Sequence, residues 1–118
     1  MNLESIKTIG IAGAGTMGQG IAQMCAMAGY KTILFDINTE MLEVAKINIA
    51  KNLEKGIERG KVTSEQKEST LSLISYTNNL EEVVADLVIE AILEQLEIKH
   101  DLFSKLENIN SENCILAT

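Results

Sequence analysis

Residues Thr8 to Gly20 read T-I-G-I-A-G-A-G-T-M-G-Q-G. The run opens as a short strand, breaks at a glycine turn and passes into the first turn of a helix. Gly13, Gly15 and Gly18 fit G-x-G-x-x-G, the spacing of a dinucleotide-binding turn. Each glycine has its own physical task. Gly13 permits the tight exit from the strand. Gly15 lets the backbone approach a pyrophosphate where a Cβ would intrude, and Gly18 lets the helix lie close to the sheet. The N–H groups and positive dipole end of that helix favour an anion by about 0.3–1 kcal/mol, or about 2 kcal/mol when partly buried.

Glycines also gather in ordinary loops, so the neighbours matter. Ile9 and Ile11 form a β-prone run before the turn, and Ile21, Met24, Cys25 and Ala28 follow it at the spacing of one helical face. Gly29 is placed to end that helix. A second strand, Lys31 to Phe35, delivers Asp36 18 residues past Gly18. A carboxylate about 20 residues on is the one that receives an adenosine ribose. Asp36 would repel a 2′-phosphate, and Ile37 and Asn38 offer no arginine to receive one, so NAD is expected over NADP. The competing reading is a βαβ unit whose glycine turn holds nothing.

The 118 residues suffice for one domain, and a 46 % hydrophobic content can fill its core. A formal charge of −7 and 3 % aromatics argue against nucleic acid or an anionic membrane as partner. No apolar run is long enough to span a bilayer. The N-terminus enters the first strand without a secretory h-region, which predicts a cytoplasmic protein. Cys25 and Cys114 read as free core thiols, and one histidine with two distant cysteines supplies no metal site.

Further along, Asn38 or Thr39 can cap a long helix from Glu40 to Arg59, with Leu42, Ala45, Ile49, Leu53 and Ile57 as its apolar stripe. Gly60 should end it. Thr63 and Gln66 fit a capping box for a second helix through about Ser72. Two successive helices exceed what a crossover needs, so the pair is expected to project as a hairpin. Lys51, Lys55 and Arg59 line one edge of the long helix, with Glu54 and Glu58 alongside as partial offset. A mixed, solvated face and an edge suited to a phosphorylated ligand both remain open at this point. A third strand (Leu73 to Tyr76), a short helix (Leu80 to Ala85), a fourth strand (Asp86 to Glu90), a helix with Leu96 to Leu106 and a fifth strand (Cys114 to Ala117) complete the chain. This alternation predicts an α/β, Rossmann-type doubly wound parallel sheet in the order 3-2-1-4-5. His100 falls on the solvated side of its helix.

Together, G-A-G-T-M-G-Q-G-I-A (Gly13 to Ala22), Asp36, D-L-V-I-E-A (Asp86 to Ala91), Glu94 with Lys99, L-F-x-x-L (Leu102 to Leu106) and the closing I-L-A-T resemble the 3-hydroxyacyl-CoA dehydrogenase family. The bacterial short-chain members are the most similar. The match spans essentially the whole chain, which makes residues 1–118 most of one NAD-binding domain. The resemblance implies an oxidoreductase of fatty-acid metabolism, passing hydride from an (S)-3-hydroxyacyl-CoA to NAD⁺. It implies that Gly13, Ala14, Gly15, Thr16, Met17 and Gly18 hold the pyrophosphate and Asp36 the ribose. Ala91 would line the cofactor cleft, with Glu94 and Lys99 near the nicotinamide half. Lys55 and Arg59, with Asn52 a weaker candidate, would meet coenzyme A phosphates.

Members of the family continue past the I-L-A-S/T strand with Asn-Thr-Ser, a histidine base held by a glutamate, and a helical dimerising domain. The sequence stops at Thr118, and His100 does not match the base, so no catalytic residue is assigned. The chain is expected to bind NAD without turnover and the intact protein to form a homodimer. Two other functions stay open: a dehydrogenase of a free 3-hydroxy acid, and a non-catalytic NAD-sensing module.

Overall fold

The computed structural model describes residues 6–91 and the strand at 115–117. Five parallel strands, β1 (Thr8–Ala12), β2 (Lys31–Phe35), β3 (Ile74–Thr77), β4 (Leu87–Glu90) and β5 (Ile115–Ala117), form one sheet in the order β3-β2-β1-β4-β5. The helices α1 (Thr16–Met27), α2 (Thr39–Glu58) and α3 (Ser64–Leu73) occupy the two crossovers on the β1–β2–β3 side. This is the expected Rossmann-type doubly wound arrangement. β1 lies at its centre, and from Ile9 to Ala12 it is buried, as a strand covered on both faces must be.

On one face Ile9, Ile11, Leu34 and Ile74 pack against Ala22 and Ala26 of α1 and Leu42, Ala45, Ile49 and Leu53 of α2. The stripe expected on α2 is therefore the buried one, except that Ile57 is only half-buried. The other face gathers Ala12, Phe35 and Val88 under Val83 and Ala85. This second cluster corrects an expectation. Only Leu80–Glu82 forms a helical turn, of the tighter 3₁₀ kind, and the chain then opens at Val83. Continuing the helix to Ala85 would lift the fully buried Val83 off the sheet. β3 likewise begins one residue later than expected, because Leu73 completes α3.

A larger correction concerns α1. Its buried residues are Gly18, Gln19, Ala22 and Ala26, whereas Met24 is 71 % exposed and Ile21 and Cys25 are half-buried. The helix lies close to the sheet, so Gly18, Ala22 and Ala26 face inward by their size, while Gln19 is buried with both ends of its amide hydrogen-bonded. Burial of the free Cys25 thiol still pushes its pKa above the ordinary range. Cys114, His100 and the helix expected over Leu96 to Leu106 lie outside the described residues.

The remaining helix ends follow local chemistry. Asn38 Oδ1 accepts from the N–H groups of Glu40 and Met41, and Thr63 and Gln66 form the full capping box. Gly29 and Gly60 follow α1 and α2, each at positive φ. Leu53 is the last buried residue of α2, and the helix continues through Glu58 with exposed or half-buried residues. The distal turn of the hairpin is mostly exposed, with Val62 half-buried against the edge of the core. Gly56 lies there against Val62, whose side chain would be 2.7 Å from an added Cβ.

Asp86 fastens the opposite rim. One carboxylate oxygen accepts the Lys7 N–H at 2.9 Å and the Thr8 N–H at 3.0 Å, and these bonds hold its pKa below the usual carboxylate range. A carboxyl depressed in the folded state stabilises the fold above its unfolded pKa, and that contribution disappears as pH falls through the folded value. Melting midpoints should therefore begin to drop below roughly pH 5. Asp86→Asn, melted across the same acid range, should show a shallower decline than the wild type; parallel curves would remove Asp86 as the cause.

Candidate nucleotide site

The site is built at the carboxyl ends of β1, β2 and β4. The chain leaves β1 through Gly13, whose φ of 116° is one that side chains with a Cβ rarely adopt. Its N–H donates to the Phe35 carbonyl at 2.7 Å, tying the turn to the end of β2. Gly15 then serves as N-cap of α1 in an extended conformation, and no side chain caps this helix. Among the described residues the N–H groups of Gly15, Thr16, Met17 and Gly18 have no protein acceptor. An added Cβ at Gly15 would meet nothing within 4 Å, so the turn faces open space. An added Cβ at Gly18, by contrast, would overlap the Gly13 carbonyl. The glycine at this position is what lets the helix start directly beneath the turn.

Asp36 follows β2 and turns back toward the glycines. Its Oδ2 accepts the Ala14 N–H and its Oδ1 the Asn38 N–H, both at 2.9 Å. A carboxylate has about four acceptor positions, so each oxygen keeps room for a further donor. Ala91 reaches the same rim, its N–H donating to the Ala12 carbonyl at 2.8 Å, and Glu90, buried, precedes it opposite Ala12. The structure thus brings Gly13 through Gly18, Asp36 and Ala91 together. Glu94 and Lys99 lie outside the described residues.

Asn52 and Lys55 on α2 and Arg59 just after it are exposed and do not join the turn. Glu54, read as a partial offset to this edge, pairs instead with Lys67 of α3 at 2.7 Å. Among the described residues Lys51, Lys55 and Arg59 form no ion pair, which leaves a net positive edge on an acidic chain. Two polar residues near the turn were not anticipated. Gln19 on α1 is 8 % exposed, bonded to the Ala14 carbonyl, and accepts from Asn48 of α2. Neither type carries a motif; a buried glutamine beside a glycine turn would have been the only signal.

An open, uncapped helix start beside an acid with spare acceptor sites fits a diphosphate joined to a ribose. The family model for the 3-hydroxyacyl-CoA dehydrogenase NAD binding domain matches residues 8–118. The chain belongs to this family. Its relatives include a probable 3-hydroxybutyryl-CoA dehydrogenase of Bacillus subtilis, 41 % identical over 96 % of this chain and 40 % of the relative. A 3-hydroxyadipyl-CoA dehydrogenase of Escherichia coli is 40 % identical over 97 % of this chain and 24 % of its own length. Among solved structures, the (S)-3-hydroxybutyryl-CoA dehydrogenase of Ralstonia eutropha superposes with a TM-score of 0.90 at 35 % identity, covering 95 % of this chain and 40 % of that one. The chain therefore spans 40 % or less of the length of these relatives. Other relatives are glyoxysomal or peroxisomal multifunctional proteins of plants. Among the described residues no helix is long and apolar enough to cross a membrane, and no three metal-ligating side chains cluster.

Proposed function

We propose that these residues are the nucleotide-binding part of an enzyme that oxidises an (S)-3-hydroxyacyl-CoA to the 3-oxoacyl-CoA, with a short acyl chain such as 3-hydroxybutyryl. The observation that carries the reading is the uncapped start of α1, whose free N–H groups stand beside Asp36. In this proposal the turn from Gly13 through Ala14, Gly15, Thr16, Met17 and Gly18 takes the pyrophosphate. Asp36 accepts from the adenosine ribose, and Ala91 lines the cleft where Glu94 and Lys99 also contribute. Bound there, NAD⁺ accepts the hydride. The chain's own part is to fix the nucleotide at one end and exclude the 2′-phosphate by the charge of Asp36.

Calorimetric titration tests the cofactor half. NAD⁺ should bind, and NADP⁺ at least about tenfold more weakly, the cost of about 1.4 kcal/mol of charge repulsion. Equal binding of the two would overturn the role of Asp36.

The substrate half rests on Lys55 and Arg59, with Asn52 beside them, which are proposed to meet the phosphates of coenzyme A. Two charge-assisted bonds lost together should weaken acyl-CoA binding by about tenfold or more. Lys55→Glu/Arg59→Glu, titrated with acetoacetyl-CoA, checks this; unchanged binding would favour the free-acid dehydrogenase. We propose that the acceptor of the hydroxyl proton lies outside these residues, because the relatives this chain matches are more than twice its length. The chain alone should therefore bind NAD⁺ and show no acetoacetyl-CoA-dependent NADH oxidation. We place the intact enzyme in the cytoplasm as a homodimer, with neither nucleic acid nor membrane as partner.

A further inference from the structure

We infer that Gln19 is a positioning residue for the phosphate-binding turn and that Asn48 fixes it; the inference rests on the nucleotide reading above. Gln19 Nε2 donates to the Ala14 carbonyl at 3.0 Å, and Gln19 Oε1 accepts from Asn48 Nδ2 at 3.0 Å. The polarity of this chain of bonds is forced. A backbone carbonyl can only accept, so the glutamine must present its nitrogen to Ala14 and its oxygen to a donor. Asn48 supplies that donor from α2.

The consequence follows from peptide geometry. The Ala14 carbonyl and the Gly15 N–H belong to one trans peptide plane and point in opposite directions. Drawing the carbonyl inward onto Gln19 therefore aims the Gly15 N–H outward, into the open space the turn faces. The Ala14 N–H is held separately by Asp36 Oδ2. Both polar groups of Ala14 are thus engaged from within the protein. The peptide that follows has one orientation left, the one a phosphate oxygen needs. The bridge also registers the glycine turn against α2, the helix that carries Asn52 and Lys55 and ends at Arg59.

The test measures NAD⁺ dissociation constants by calorimetry on the 118-residue chain, well below its melting midpoint, with the midpoint recorded separately. Under those conditions the constant belongs to folded molecules, and a residue that only supports the fold moves the midpoint instead. Gln19→Met keeps the side-chain length and removes both bonds; it should weaken NAD⁺ by about three- to tenfold. Gln19→Glu retains the bond from Asn48 but cannot donate to Ala14, and should weaken binding at least as much. Should the methionine variant fail to fold, this second variant still decides. Asn48→Ala should weaken binding about two- to fivefold, and should add nothing in the Gln19→Met background, because the two act as one unit. Wild-type affinity in both Gln19 variants, or additive losses in the double variant, would overturn the inference. Absence of NAD⁺ binding by the wild type is a different result, which overturns the nucleotide reading itself and this inference with it.

Discussion

Gly18→Ala is expected to take NAD⁺ binding below detection while Gly20→Ala leaves it unchanged. The two glycines stand two residues apart in α1, yet their surroundings differ completely. A Cβ at Gly18 falls on the Gly13 carbonyl, whereas at Gly20 it meets no atom within 4 Å. The obstructing atom is backbone and cannot rotate away. Relief requires moving the turn itself, which is tied to β2 by the 2.7 Å bond from Gly13 to Phe35. Overpacking of this kind costs about 1–3 kcal/mol of stability. Displacing the turn should also forfeit at least two charge-assisted bonds to the pyrophosphate, about a hundredfold or more in affinity. Gly20→Ala removes an exposed helical glycine and should stabilise α1 by up to about 1 kcal/mol. Calorimetry and thermal melts of the pair check both statements; a Gly18→Ala chain that binds as the wild type does would disprove the close approach.

Asp36→Ala is expected to raise the NAD⁺ dissociation constant about ten- to a hundredfold, the equivalent of 1.5–3 kcal/mol of charge-assisted hydrogen bonding. The same change narrows the preference over NADP⁺, because the repelling charge is gone. It does more than delete a ligand contact. Asp36 also receives the N–H groups of Ala14 and Asn38, so the variant frees two backbone donors and should melt earlier. Asp36→Asn separates the effects in part, since it removes the charge but keeps one acceptor oxygen and so one of the two backbone bonds, its NH2 group facing the other N–H. Its affinity should fall between the other two. An Asp36→Ala chain with unchanged affinity would rule out the ribose role.

Much of this was legible wherever the signal is local. The caps of α2 and α3 depend on residues at most three apart, and Asn38, Thr63 and Gln66 act as their spacing indicates. The glycine turn and Asp36 were readable for the same reason, since each glycine answers a backbone requirement in its immediate surroundings. The inward face of α1 was not. Hydrophobic periodicity favours Met24, but the close approach permitted by Gly18 selects Ala22 and Ala26 for their size, and Gln19 goes inside with its amide hydrogen-bonded at both ends. Contacts between elements were also hidden. Gln19 and Asn48 are 29 residues apart, and Lys67 draws Glu54 away from the basic edge across 13. Neither pairing leaves a trace in composition or period.

The latch at Asp86 bears on how the molecule is made. β1 has β2 on one side but no neighbour on the other until β4 arrives, and the Lys7 N–H waits for a carboxylate 79 positions downstream. During synthesis β1 and β2 can pair early, with α1 closing over them. The other flank of β1 stays an open edge until Glu90 has emerged from the ribosome. Parallel pairing over such separations is slow. The nascent chain therefore carries a central strand with one edge unpaired until β4 is made, an opportunity for chaperones and for mispairing alike.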